Sequence, residues 1–101
     1  MISHIYIGVN DFPRAFAFYE PLLGLIGWLL KFREDDHPWA GWKVPDRDRP
    51  LLVLGKPFDG GPASPGNGQM VALLATSRGM VDEVYRMAIE NGASCEGPPG
   101  L

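Results

Sequence analysis

Two stretches of the chain, 66 residues apart, begin in the same way: "HIYIGVNDFPRAFAFYE" from His4 and "MVALLATSRGMVDEVYR" from Met70. Each opens on alternating or continuous apolar residues, as a strand does, and then changes to apolar spacing of three and four, as a helix does. The change falls at Asp11 in the first copy and at Ser77 in the second, both good helix N-caps. Pro13 sits in the first turn, where a missing N–H costs nothing. Tyr19 aligns with Tyr85, and His4 with Met70. A chain that repeats strand and helix in this way folds as two copies of one unit.

Between the copies lie three short apolar runs, "WLLKFRE" from Trp28, "WAGWKVP" from Trp39 and "LLVLGKPF" from Leu51. The turns "DDHP" and "DRDRP" separate them, so they read as neighbouring antiparallel strands. Each unit is then strand, helix and three strands. The expected fold is α+β: two βαβββ modules forming a curved mixed sheet around a cleft, with helices on the outer faces. Module one spans about residues 1–58, a Gly/Pro-rich linker 59–67, and module two begins at 68. The linker has no Lys-Ser or Lys-Thr after it, so it does not read as a phosphate-cradling loop. In the first helix of such a unit, Phe12, Ala15, Phe16, Tyr19, Leu22 and Leu23 share the buried face, and Pro21 should kink or end the regular helix. In the second helix Val81, Val84, Tyr85, Ala88 and Ile89 share a face, with Gly92 as its stop.

The 101 residues suffice for a single domain, 46% hydrophobic and 21% charged. A net charge of -3 with scattered Lys and Arg argues against nucleic acid as partner. The longest apolar run, Leu22 to Leu30, falls far short of the roughly 20 residues that span a membrane, and the N-terminus lacks signal-peptide character. A cytoplasmic location is the expectation. Cys95 is the only cysteine, which excludes an internal disulfide and a zinc site made of cysteines. It reads as a small buried residue on a closing strand.

The opening "HIYIGVNDFPRAFAFYEPLLGLIG", with His heading the first strand, then "V.D....AFYE" and "LG", resembles the vicinal oxygen chelate superfamily, which includes glyoxalase, bleomycin-resistance and extradiol dioxygenase proteins. "GNGQMVALLA" and the helix after it resemble the start of that family's second module. The resemblance implies a divalent metal held by His or Glu on the first, fourth, fifth and eighth strands, with open positions for two substrate oxygens. Such a metal stabilises an enolate or activates dioxygen. His4 matches the first position. The fourth falls within Leu51 to Phe58, which has no carboxylate and carries the cation Lys56. The fifth falls on Met70, a soft thioether ill suited to such cations. The eighth would lie beyond Leu101, because the repeat puts the end of module two roughly twenty residues further on. On this reading module two is incomplete at its C-terminus.

The candidate ligand-binding residues are therefore His4, Tyr6, Trp42 and Met70, with His4 as the candidate metal ligand. In an extended strand His4 and Tyr6 share the face opposite Ile5, Ile7 and Val9. Each has an ordinary structural reading beside the functional one. His4 could line a pocket or act as a base without binding metal. Met70 could be pocket wall. Trp39 and Trp42 are of opposite parity, and Trp42 is assigned to the cleft, where its indole could stack on a flat ligand or simply fill core. Lys31, Arg33 and Lys56 either bind an anion or are solvated strand charges. "REDDH" reads as an exposed loop.

The resemblance favours a small-molecule-binding protein with a degraded metal site, working as a homodimer. The alternative is a metal-dependent glyoxalase-type lyase or dioxygenase that uses His4 and a ligand beyond Leu101. A purely structural dimeric module is a third reading, favoured if Tyr6, Trp42 and Met70 fill the cleft.

Overall fold

The first 55 residues place strand, helix and strands where the apolar pattern put them. The computed structural model describes residues 2–64 and 69–93. In order, the elements are β1 (His4–Gly8), α1 (Phe12–Leu25), β2 (Leu29–Glu34), β3 (Trp39–Lys43), β4 (Leu51–Gly55) and α2 (Arg78–Glu90). The sheet order is β1-β4-β3-β2, with β1 parallel to β4 and the other pairs antiparallel. The central position of β4 explains why all five of its residues are buried.

Register divides the side chains into two rows. Ile5 and Ile7 lie beside Leu52 and Leu54, which in turn lie beside Trp42 and Ala40. This row faces α1 and forms the core with Phe12, Phe16 and Leu23. The other row is His4, Tyr6 and Gly8 beside Leu51, Val53 and Gly55, continuing to Gly41 and Trp39. His4 and Tyr6 are thus exposed on the face away from the helix, as their parity predicted.

Trp42 departs from its expected place. It is 1% exposed and lies on the helix side, its ring stacked on Phe16 at 5.6 Å between centroids and 29° between planes. The register irregularity falls in β2, between Leu30 and Phe32, and β3 keeps strict alternation. Trp42 therefore follows Ala40 into the core, and Trp39 takes the open face. Arg33 is also on the helix side: its guanidinium carbon is 4.1 Å from the Phe16 ring centroid, and Nε is 3.1 Å from Asp35. It covers the aromatic core rather than the open face.

Both helices start and stop by the same devices. The Asp11 carboxylate accepts from Arg14 N at 3.2 Å, and the Ser77 hydroxyl from Met80 N at 3.1 Å. At the C-terminal ends Gly27 and Gly92 have φ of +93° and +100°. Trp28 N donates to Leu23 O and Ala93 N to Ala88 O, each at 2.9 Å, closing a Schellman turn. Pro21 does not end α1, contrary to expectation. It is exposed, as is Ala17 one turn before it. The carbonyl that loses its N–H partner is thus on the solvated side, while buried Leu22 and Leu23 hold the last turn to the core.

The second copy is less regular. Residues 69–75, expected as a strand, belong to no hydrogen-bonded ladder, and Met70 is 87% exposed. The helix α2 packs against α1. The expected closing strand and Cys95 lie outside the described residues. No helix among the described residues is long and apolar enough to cross a membrane.

Because Trp42 is the largest fully buried side chain, its truncation should be costly. Trp42→Ala is expected to lower unfolding free energy by about 3–5 kcal/mol in urea titrations. Trp39→Ala, on the half-buried open face, should cost clearly less.

Candidate functional site

The open face is floored by glycine and covered by aromatic rings. A Cβ at Gly55 would collide with the Tyr6 hydroxyl, and one at Gly41 with the edge of the Phe32 ring. The rings thus lie directly over the backbone of β3 and β4. Val53, beside Tyr6 on β1 and Gly41 on β3, lies between them and is 4% exposed. Trp39 meets Phe32 at 4.8 Å between centroids and His37 at 5.7 Å. The aromatic group on this face is therefore Tyr6, Phe32 and Trp39. Phe32 and Trp39 were not among the candidates; the signal for them is the pair of glycines, Gly41 two residues after Trp39 on β3 and Gly55 across the ladder from Trp39 on β4.

Tyr6 is oriented by its hydroxyl, which donates to the carbonyl of Lys56 in a short hydrogen bond. Burial pushes the Tyr6 phenol up from its ordinary value, and does the same to Tyr19 on α1. Just beyond β1, Asn10 clamps the chain after β4. Its Nδ2 donates to Ala63 O at 3.1 Å, and its Oδ1 accepts from Ala63 N at 2.7 Å. The side-chain amide acts there as a strand's peptide group would, fixing the linker to the end of β1.

His4 stands at the rim of this face. It is exposed, its Nδ1 lies 3.4 Å from Ser3 Oγ, and its ladder neighbour on β4 is Leu51. Leu51, Val53 and Gly55 supply no ligating atom from their side chains. Among the described residues no group of three His, Cys, Asp or Glu could hold a metal ion. The metal that the resemblance implies does not fit this donor set, since catalytic sites use about three protein ligands.

A cleft of about 870 Å³ opens beside β1 rather than over the sheet. Tyr6, Gly8, Asn10, Arg14, Gln69 and Met70 are among the residues around it. The structure thus brings Tyr6 and Met70 to one cleft, leaves His4 outside its walls and puts Trp42 in the core.

The tyrosines give a pH signature. A phenol whose folded pKa is raised contributes stability that is present below the unfolded value of about 10 and is lost as pH rises through the folded value. In the folded protein, phenolate absorbance from Tyr6 and Tyr19 is expected only above pH 10.0. Denaturation midpoints should fall over that range, and less so in Tyr19→Phe.

Comparison with known proteins agrees with this architecture. The sequence profile of the Glyoxalase/Bleomycin resistance protein/Dioxygenase superfamily matches residues 1–101. A crystal structure of a glyoxalase/bleomycin resistance protein from Albidiferax ferrireducens T118 is 31% identical and superposes with a TM-score of 0.84, over 100% of this chain and 81% of that one. A possible glyoxalase from Bacillus cereus, 21% identical, shares the fold with a TM-score of 0.65 over 91% of this chain and 74% of that one. No curated protein matches the sequence significantly. The αβ sheet, its capped helices and these matches agree: the chain belongs to the glyoxalase/bleomycin resistance protein/dioxygenase superfamily.

Proposed function

We propose that the chain is a small-molecule-binding member of this superfamily in which the metal site is degraded. One observation carries the reading: His4, the residue matching the family's first ligand, has Leu51 as its ladder neighbour on the open face, where a carboxylate would be needed. In place of ligating groups the face presents Tyr6, Phe32 and Trp39. Such a surface captures a flat, largely apolar ligand by stacking and displacement of water. His4 acts on this reading as a hydrogen-bonding group at the edge of the ligand. The working form is a cytoplasmic homodimer, in keeping with a superfamily that pairs modules within or between chains.

The position of His4 at the head of β1 also supports a second reading, a metal-dependent lyase or dioxygenase in which further ligands come from elsewhere in the assembly. Elemental analysis separates the two. After loading with Zn, Ni, Mn or Fe and dialysis, the protein is expected to retain no stoichiometric metal, and His4→Ala to behave identically. About one metal per chain, lost in His4→Ala, would sink the binding-protein reading.

Ligand capture gives an independent check. In a screen of flat aromatic compounds, a binder should quench the fluorescence of the wild type and of Trp42→Phe. Trp39→Phe should lose most of that quenching.

A further inference from the structure

Trp39 carries the one buried side-chain nitrogen or oxygen among the described residues that has no hydrogen-bond partner, its indole Nε1. An indole N–H is a donor only, and when buried without an acceptor it imposes its full desolvation on the fold. A phenylalanine here would also pack against Phe32 and would carry no such cost. Packing on the open face thus accounts for the ring of Trp39 and leaves its N–H unexplained.

The surroundings of the indole say how an acceptor arrives. Two rings lie against it, Phe32 at 4.8 Å between centroids and 60° between planes, and His37 at 5.7 Å and 78°. Phe32 is held over Gly41, so moving it opens the floor of the face. His37 belongs to the turn 35–38 between β2 and β3 and is itself exposed. It is the ring that yields to a ligand, giving access to the indole without disturbing the sheet.

Charge restricts what the acceptor can be. Glu34 is the ladder partner of Trp39 and stands on the same face, and the exposed Asp35 and Asp36 follow it in the turn. The adjacent cation, Arg33, lies over Phe16 on the helix side and is bonded to Asp35. A carboxylate or phosphate brought to Trp39 would meet like charge, whereas a neutral acceptor would not.

Resting on the reading of the open face as a small-molecule site, we infer that the indole N–H of Trp39 selects the ligand: a flat, neutral ring system with a carbonyl oxygen or an unprotonated ring nitrogen at one edge. The N–H lies in the plane of the indole, so the ligand meets Trp39 at its edge and stacks on Phe32. Stacking alone accepts any flat apolar ring. The N–H adds a demand that stacking does not make, because a ligand without an acceptor leaves the donor orphaned, and one with an acceptor gains a hydrogen bond away from water. Tyr6 does not take this role, since its hydroxyl hydrogen is already given to the Lys56 carbonyl.

Two flat probes, 9-fluorenone and fluorene, differ by a carbonyl in place of a methylene, and calorimetric titration with each tests the donor. The ratio of fluorenone to fluorene affinity is expected to fall about tenfold in Trp39→Phe, as the loss of one hydrogen bond requires. In His37→Ala, where only the covering ring is gone, the ratio should persist. In the wild type, the indole N–H proton resonance of Trp39 should move downfield on saturation with fluorenone and not with fluorene. A ratio unchanged by Trp39→Phe, a ratio that collapses in His37→Ala, or an indole resonance that fluorenone leaves in place overturns the inference and leaves ligand capture standing. Binding of neither probe also overturns it, while the metal analysis decides the reading of the face itself.

Discussion

The stacking of Trp42 on Phe16, with the Arg33 guanidinium carbon 4.1 Å from the Phe16 ring centroid, fixes α1 against the sheet. Everything else in the molecule takes its position from that contact. It commits the even positions of β3 to the helix side, and through the ladder it commits Leu52 and Leu54 of β4 and Ile5 and Ile7 of β1 to the same side. The opposite row is then the open face by necessity, since side chains on a pleated strand have only two directions. The open face with Tyr6, Phe32 and Trp39 on it is a consequence of packing on the other side of the sheet.

Much of this was legible from residue spacing alone. The strand and helix of the first copy, the Asp11 and Ser77 caps and the side taken by His4 and Tyr6 all depend on local chemistry: period, cap and parity. What parity cannot say is which of two opposite rows faces the helix when both contain a tryptophan. That choice rests on what lies across the ladder, and Trp42 pairs with Leu52 while Trp39 pairs with Gly55. Pro21 misled for a related reason. Its local penalty is real, but the exposed side of α1 lets water take the orphaned carbonyl, and burial of Leu22 and Leu23 outweighs the lost bond.

The second copy shows where pattern stops being sufficient. Residues 70–75 have the composition of a strand, yet a strand exists only when its backbone groups have partners, and composition cannot supply them. The helix that follows needs no such partner and forms as its cap and stop signals dictate. The same distinction runs through the candidate site. Tyr6 could be placed from its own strand, whereas the environment of His4 depends on a strand distant in sequence, whose residue beside it is Leu51.

Gly41 and Gly55 also constrain how this surface can change over evolutionary time. Any side chain at either position displaces Phe32 or Tyr6, so the floor cannot be edited one residue at a time without losing the ring above it. The outer positions His4, Leu29 and Lys43 stand clear of those contacts and can vary independently. A lineage that retunes what this face recognises would therefore do so around its perimeter and inherit the aromatic centre unchanged.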